Sequence, residues 1–220
     1  MKIKRLAKVS STNEVARDEK PGTIIVAREQ ARGKGRFGRV WESGKGGLWM
    51  SLVVVPSRPV QEYTMLAALA VRGALGSGFS VKWPNDVLYK GKKVCGILSE
   101  AVFSGNKPEK VIVGIGVNVN NVISSSLNAV SLRQIRKKEV PVDVAMQHIL
   151  GAFTALLELS SEQLLERYKE QCSTLGKDIR AATLSGDVVG KAVDITPEGE
   201  LVVQTTRGKK VLQEGDVSIL

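Results

Sequence analysis

The amino-acid sequence predicts an α+β fold followed by a small antiparallel β unit. Within residues 1–173, helix-like and strand-like segments follow one another without the regular strand–helix–strand order of a doubly wound protein. Residues 174–220 hold only short β-like runs separated by turns such as Pro197-Glu198-Gly199, a spacing typical of a small barrel. We therefore expect two domains, residues 1–173 and residues 174–220.

The elements of the larger domain follow from local patterns. The spacing of Ser11 and Glu14 matches a capping box and predicts a short helix after Ser11. Runs rich in apolar and β-branched residues predict four strands, at 23–27, 48–55, 94–102 and 110–119. Apolar residues at helical spacing predict three helices, at 61–75, 142–159 and 161–172.

The composition is that of a packed protein in a reducing compartment. The chain has 220 residues, of which 43% are hydrophobic and only two are cysteines. Two cysteines exclude a disulfide scaffold, and no apolar segment is long enough for a membrane span or a signal peptide. We therefore expect a cytoplasmic protein with no membrane partner.

The net charge of +10 comes from the first part of the chain. Residues 1–130 carry 20 Lys and Arg against 9 Asp and Glu, whereas residues 131–220 carry 12 against 13. A basic surface suits either nucleic acid or a phosphate-bearing ligand. Nucleic-acid binding rests on charge alone, because the sequence shows no recognition helix, zinc finger or aromatic RNA-binding motif.

A glycine-rich loop supports the phosphate interpretation. Residues 33–47 contain six glycines, and the first three match the dinucleotide pattern G-x-G-x-x-G. The residues that follow do not favour a helix, which excludes a dinucleotide-binding motif. A Walker A motif is excluded because Gly46 stands where that motif has Ser or Thr. Glycine backbone amides and four nearby cations would still bind an anion. Those cations are Lys34, Arg36, Arg39 and Lys45.

Further functional groups follow the loop in three short segments. Residues 82–86 read Lys-Trp-Pro-Asn-Asp, and Lys93 opens an apolar strand. Residues 114–120 alternate small or amide residues with apolar ones, which predicts that Asn118 and Asn120 share one face of a strand.

In this order, the segments resemble those of biotin protein ligases. The matching segments are residues 11–13, 30–41, 46–51, 82–86, 93–98 and 114–118. The resemblance implies a class II synthetase-like fold, in which a mixed sheet packs against helices and an SH3-like barrel ends the chain. Lipoate ligases share that fold but lack this loop, and they are the alternative.

The resemblance also implies a reaction and its participants. ATP, with Mg²⁺, would activate biotin to biotinyl-AMP, and a lysine of a biotin carboxyl carrier protein would accept the biotinyl group. A homodimer is expected. Only ten residues precede Ser11, so we expect no helix-turn-helix domain and no DNA binding.

Site residues are carried over position by position. Ser11, Thr12 and Gln30 match positions that bind the biotin ureido ring, and the full biotin set is Ser11, Thr12, Asn13, Gln30, Gly33, Lys34, Lys93 and Gly96. The nucleotide set is Arg36, Arg39, Trp41, Lys82, Asn85 and Asn118. The catalytic set is Lys93, Arg36, Lys82 and Asp86, and no metal ligand is assigned. Phe37 departs from the family, which often has a polar or basic residue there.

Overall fold

A computed structural model describes residues 1–183 and 186–220. Seven strands form one mixed sheet in the order β1-β2-β3-β7-β6-β5-β4, in which only β1 and β2 pair in parallel. The strands are β1 Lys2–Val9, β2 Thr23–Gln30, β3 Leu48–Val54, β4 Phe79–Lys82, β5 Asp86–Tyr89, β6 Lys92–Ser104 and β7 Lys107–Val117. The predicted α+β fold with a mixed sheet is confirmed.

Five helices accompany this sheet. They are α1 Thr12–Ala16, α2 Val60–Leu75, α3 Leu132–Arg136, α4 Val142–Leu156 and α5 Ser161–Gln171. Helix α2 packs against the sheet and contacts α4 and α5, so the three long helices cover one face. None of the helices in the described part of the chain is long and apolar enough to cross a membrane.

The two faces of the large sheet have different contents. In β7, Val113 and Ile115 join the main core below α2, whereas Ile112 packs into a small separate cluster with Ala16 of α1. Because side chains alternate along a strand, Gly114 and Gly116 lie on the same face as Ile112. The α1 face therefore has a stretch without side chains at its centre.

The C-terminal unit is a five-stranded antiparallel sheet in the order β11-β10-β9-β8-β12. Its strands are β8 Asp178–Thr183, β9 Gly186–Ile195, β10 Leu201–Thr205, β11 Gly208–Leu212 and β12 Asp216–Ile219. Residues 184 and 185 of the predicted domain 174–220 lie outside the described part. The Trp83 indole donates to Gly199 O at 2.9 Å, which joins this unit to the first sheet.

The sequence patterns failed in two places near the N-terminus. The capping box is wrong, because Ser11 makes no capping hydrogen bond and Glu14 instead contacts Ser10 and Lys34. Strand β1 was not predicted, because its many lysines and arginines mask the apolar alternation. As an edge strand it leaves those charges in solvent.

Candidate functional site

A cavity of about 270 Å³ lies on the α1 face of the large sheet. The start of α1, the glycine-rich loop and the turn at 83–85 surround it. The segment 121–129 and the turn before β12 complete the wall, so the C-terminal unit contributes directly. Its lining combines apolar side chains with many polar and charged ones, and a concave site with converging polar groups is typical of small-molecule binding.

The floor of the cavity is made of strand glycines. Gly96 of β6 pairs with Gly116 of β7, and Gly114 pairs with Leu98. A Cβ atom at Gly116 would lie 2.5 Å from Trp41 Nε1, and one at Gly114 would lie 2.3 Å from Asn13 Oδ1. Only glycine at these positions allows other groups to lie directly on the sheet.

One end of the cavity is a buried polar network. Gln30 Oε1 accepts from the Thr12 backbone N–H at 2.7 Å and from the Thr12 hydroxyl at 3.0 Å. The Gln30 amide donates to Ser43 Oγ at 2.7 Å, and Ser51 Oγ lies 2.6 Å from Asn13 Oδ1. These bonds fix the orientation of the polar groups, which suits recognition of a ligand by hydrogen bonds.

Thr12 was predicted to bind the same ligand group as Ser11 and Gln30, but it does not line the cavity. Ser11, Asn13 and Gln30 line the cavity, whereas Thr12 lies behind them and reaches it only through Gln30. Sequence reasoning missed Ser51, since a serine inside an apolar strand carries no local signal. It faces α1 from β3 and contacts both Thr12 and Asn13.

The centre of the cavity holds an ion pair beside an aromatic ring. Lys93 Nζ lies 2.7 Å from Asp86 Oδ1, and the two side chains are 32% and 15% exposed. The same Nζ lies 5.0 Å from the centroid of the Trp41 ring, within cation–π distance. The Trp41 Nε1 is buried without a hydrogen-bond partner among the described residues, so a ligand acceptor would satisfy it.

The backbone around Lys93 is held on both sides. Its N–H donates to Asn128 O at 3.0 Å, and its carbonyl accepts from Val130 N at 2.9 Å. Asn85 donates its side-chain amide to Ile97 O at 2.8 Å and so holds the turn at 83–85 against β6. These bonds place Asp86 and Lys93 opposite one another at the edge of the glycine floor.

The glycine-rich loop presents cations that are held by carboxylates of distant elements. Lys34 pairs with Glu14 at 2.5 Å, and Arg39 pairs with Asp216 at 2.7 Å. Hydrogen bonds from Lys34 and Ser10 lower the pKa of the Glu14 carboxyl. Two elements far apart in sequence therefore hold the loop over the cavity.

Arg36 is the most enclosed cation of the loop. Its Nη1 lies 3.4 Å from Gly215 O, where it donates, and its Nη2 lies 4.0 Å from Glu214 Oε2. Burial lowers the pKa of Arg36, while nearby carboxylates, Glu214 first, oppose that shift, and the guanidinium stays a cation. Phe37 adopts φ 55° beside it, a left-handed conformation that is rare for a bulky residue.

Of the remaining predicted residues, some line the cavity and one supports the shape of the loop. Lys82 and Asn118 line the cavity, and Asn118 accepts from Asn121 at 3.1 Å. Gly33 does not line it: a Cβ there would lie 2.3 Å from Trp41 O, so Gly33 lets the two arms of the loop approach. The prediction that Asn118 and Asn120 share a strand face is wrong, because β7 ends at Val117 and Asn120 bonds the Val140 backbone.

Sequence reasoning missed two parts of the wall. Gly215 and the first two residues of β12, Asp216 and Val217, belong to the C-terminal unit, and no local pattern connects them with the loop. The segment 121–129 has no regular structure, and its Val122 and Leu127 are exposed at the cavity. The sequence offered no clear signal for this segment beyond the asparagines Asn118, Asn120 and Asn121 that precede it.

Two family profiles match the chain. Residues 6–118 match the "Biotin/lipoate A/B protein ligase family", and residues 174–220 match the "Biotin protein ligase C terminal domain". The chain therefore belongs to the biotin/lipoate A/B protein ligase family.

Similar relatives within that family are named as ligases. The bifunctional ligase/repressor BirA of Bacillus subtilis is 36% identical over 95% of this chain and 70% of the relative. The biotin–[acetyl-CoA-carboxylase] ligase of Paracoccus denitrificans is 30% identical over 96% of this chain and 98% of the relative. A biotin protein ligase from Aquifex aeolicus, solved with biotin and ATP, is 30% identical and superposes with a TM-score of 0.84 over 100% of this chain and 98% of that one.

Proposed function

We propose that this protein is an ATP-dependent biotin–carrier-protein ligase. The observation that carries the proposal is the arrangement around Lys93. The Lys93–Asp86 pair, the Arg36 and Arg39 cations and the glycine floor all border one cavity. The structurally similar Aquifex protein was solved with biotin and ATP, which is the ligand pair that such a cavity must hold.

The first step joins biotin to AMP. A carboxylate oxygen of biotin attacks the α-phosphorus of ATP, the bond to the β-phosphate breaks, and pyrophosphate leaves with the electron pair. The reacting groups are all anions, so cations that neutralise them lower the barrier. We assign that neutralisation to Lys93 and Arg36, with Lys82 and Arg39 as further phosphate contacts.

The second step moves biotin to the carrier. The Nζ of the acceptor lysine attacks the acyl carbon of biotinyl-AMP, the C–O bond to the phosphate breaks, and AMP leaves with the electron pair. The amine loses a proton, and Asp86 is our candidate for its acceptor. Positioning supplies much of the rate in such reactions. We assign Ser11, Asn13, Gln30 and the network behind them to holding the biotin ring.

We expect Mg²⁺ to bind this site mainly through the phosphates of ATP, and not through a full set of protein ligands. Among residues 1–183 and 186–220, no group of three or more His, Cys, Asp and Glu is placed to hold a metal. Mg²⁺ commonly binds through phosphates and one or two carboxylates, and when bound it neutralises phosphate charge. Asp86 is the carboxylate beside the Lys93 ammonium that would take part.

Intact-mass measurement tests the proposal. Incubating the protein with biotin, MgATP and a purified biotin carboxyl carrier domain is expected to add one biotin mass to the carrier. A carrier whose acceptor lysine is replaced by Arg serves as the control and should stay unmodified. No mass gain, on a carrier that another biotin ligase modifies, would contradict the proposal.

Lipoate is the competing substrate within the family. The Paracoccus relative and the solved Aquifex structure are named for biotin, which disfavours lipoate. A thermal-shift measurement compares the two ligands. Biotin should raise the melting temperature of the protein, and lipoate should not.

The homodimer, the absence of DNA binding and the cytoplasmic location remain predictions, as does the division at residues 173 and 174. A dimer that pairs two copies of edge strand β1 is disfavoured, because Lys2, Lys4, Arg5 and Lys8 would face like charges. Sedimentation equilibrium with and without biotin and ATP measures the oligomeric state.

A further inference from the structure

A second cavity of about 220 Å³ lies beside the first. It is enclosed by the start of α2, the turn at 83–85, β6, α5 and the segment before β12. Gln61 and Gln213 are exposed at its outer side, whereas Trp83 and Tyr168 are buried at its inner side. This cavity therefore leads from the surface toward the interior between the two sheets.

The two cavities share a wall. Trp83, Pro84, Asn85, Ile97 and Leu98 line both, and so does Arg36. Hydrogen bonds between Asn85 and Ile97, at 2.8 and 2.9 Å, fix the wall on the β6 side. Arg36 lines both cavities, so a side chain that can change rotamer lies between them.

The walls of the second cavity suit an alkyl chain that ends in an amine. Val60, Met65, Ile97 and Leu98 supply apolar surface along it. The Glu214 carboxylate lies on the same cavity with a half-exposed side chain, where it attracts an ammonium group. Lysine is the natural side chain with that combination of apolar stem and charged end.

The proposed reaction needs such a route in its second step. By then biotinyl-AMP fills the first cavity, and the loop, with segment 121–129, encloses it. The acceptor Nζ must nevertheless come within about 3–3.5 Å of the acyl carbon. A separate opening that reaches Arg36 and Asn85, which line both cavities, meets this requirement without release of the intermediate.

We propose that the second cavity is the access channel for the acceptor lysine side chain of the carrier protein. The inference rests on the proposed function and names the route of its second substrate. Glu214 and Arg36, whose charged groups lie 4.0 Å apart, both line this channel. The carboxylate attracts the entering ammonium, and the guanidinium beside it disfavours the charged form of the amine and so favours the nucleophilic neutral form.

Filling the channel tests the inference. Thr64 on α2 lines only the second cavity, where its hydroxyl donates to Ser99 Oγ at 2.9 Å. Thr64→Phe places a ring in the channel, while Thr64→Val loses the same hydrogen bond without adding volume. In single-turnover transfer from preformed enzyme-bound biotinyl-AMP to a carrier domain, Thr64→Phe should be slower by about a hundredfold, as expected for a misplaced nucleophile.

Measuring the first step of the reaction, formation of biotinyl-AMP, distinguishes failure of the channel from failure of the proposed function. Biotin-dependent ATP–pyrophosphate exchange should be the same in wild type, Thr64→Phe and Thr64→Val. Lack of exchange in the wild type would overturn the proposed function itself. Normal exchange with equal transfer rates in the folded Phe and Val variants would overturn the channel alone.

A second variant keeps the test decisive if Thr64→Phe unfolds. Gln61 is exposed at the outer side of the channel, so Gln61→Trp obstructs it without entering the core, and Gln61→Ala is its control. Slower transfer by the Trp variant alone, with unchanged exchange, supports the channel. Transfer at the rate of the Ala variant, with the melting temperature retained, contradicts it.

Discussion

Glycine serves different purposes in the floor of the first cavity and in the loop that covers it. Gly114 and Gly116 lie in strand β7, where a Cβ atom would come within 2.3 to 2.5 Å of Asn13 or Trp41. Gly38 of the loop adopts φ 70°, and a Cβ atom there would meet nothing within 4 Å. The floor needs glycine for space, whereas Gly38 of the loop needs it for backbone conformation.

The two regions also differ in what holds them. The floor is fixed by the hydrogen-bond ladders of β3, β7 and β6. The loop closes on itself by backbone hydrogen bonds such as Trp41 N–H to Gly33 O, and ion pairs of Lys34 and Arg39 tie it to other elements. Exposed ion pairs are weak, whereas the hydrogen bonds between strands form cooperatively. We therefore expect substitutions at the floor to abolish function and substitutions in the loop to weaken it.

The largest effect is expected at the edge of the floor, for Lys93→Ala. It removes the cation that we place beside the biotin carboxylate and the α-phosphate, and it leaves Asp86 without its counterion. Loss of one preorganised electrostatic group typically costs about 10²–10³ in rate. Pyrophosphate release should fall by that amount, while Lys92→Ala, an exposed neighbour, should match the wild type. Pyrophosphate release at the wild-type rate would remove Lys93 from the catalytic role.

Gly114→Ala tests the floor itself. The added methyl group would lie 2.3 Å from Asn13 Oδ1, and Asn13 is anchored by Glu100 and Leu98, so it has little freedom to move. Overpacking of this kind costs about 1–3 kcal/mol of folding stability, and here it also displaces a wall of the cavity. Calorimetric titration should show much weaker biotin binding. Gly44→Ala, which meets nothing within 4 Å, is the control and should bind normally.

The floor was also the region where sequence patterns were most informative. The apolar runs at 94–102 and 110–119 are local, so they predicted strands that the structure contains, although β7 ends at Val117. The capping box failed because Ser11 has a competing position at the cavity wall, which only the tertiary structure reveals. Glu214 and Asp216 were missed because their partners, Arg36 and Arg39, lie far away in the chain.

Arg36→Gly tests the loop at its most enclosed cation. The variant loses the contacts with Gly215 and Glu214 and opens the wall over the cavity. We expect biotinyl-AMP to form and then escape, which is measured as biotin labelling of bystander proteins in a mixture. Arg32→Gly, an exposed arginine outside the cavity, should keep the label on the carrier. Equal labelling of bystanders by both variants would show that Arg36 does not retain the intermediate.

The smallest effect is expected for Asp216→Asn, at the contact between the loop and the C-terminal unit. Asp216 pairs with Arg39 at 2.7 Å, but the two side chains are 44% and 62% exposed. Exposed pairs contribute only about 0.2–1 kcal/mol, so the KM for ATP should rise by no more than about fivefold. The effect should vanish at high salt, where screening already weakens the pair.

A double-mutant cycle with Arg39→Gln isolates the pair, and additive effects of the two changes would mean that this ion pair does not hold the loop. If instead Asp216→Asn matched Lys93→Ala in severity, the loop would be as rigid a part of the site as the floor.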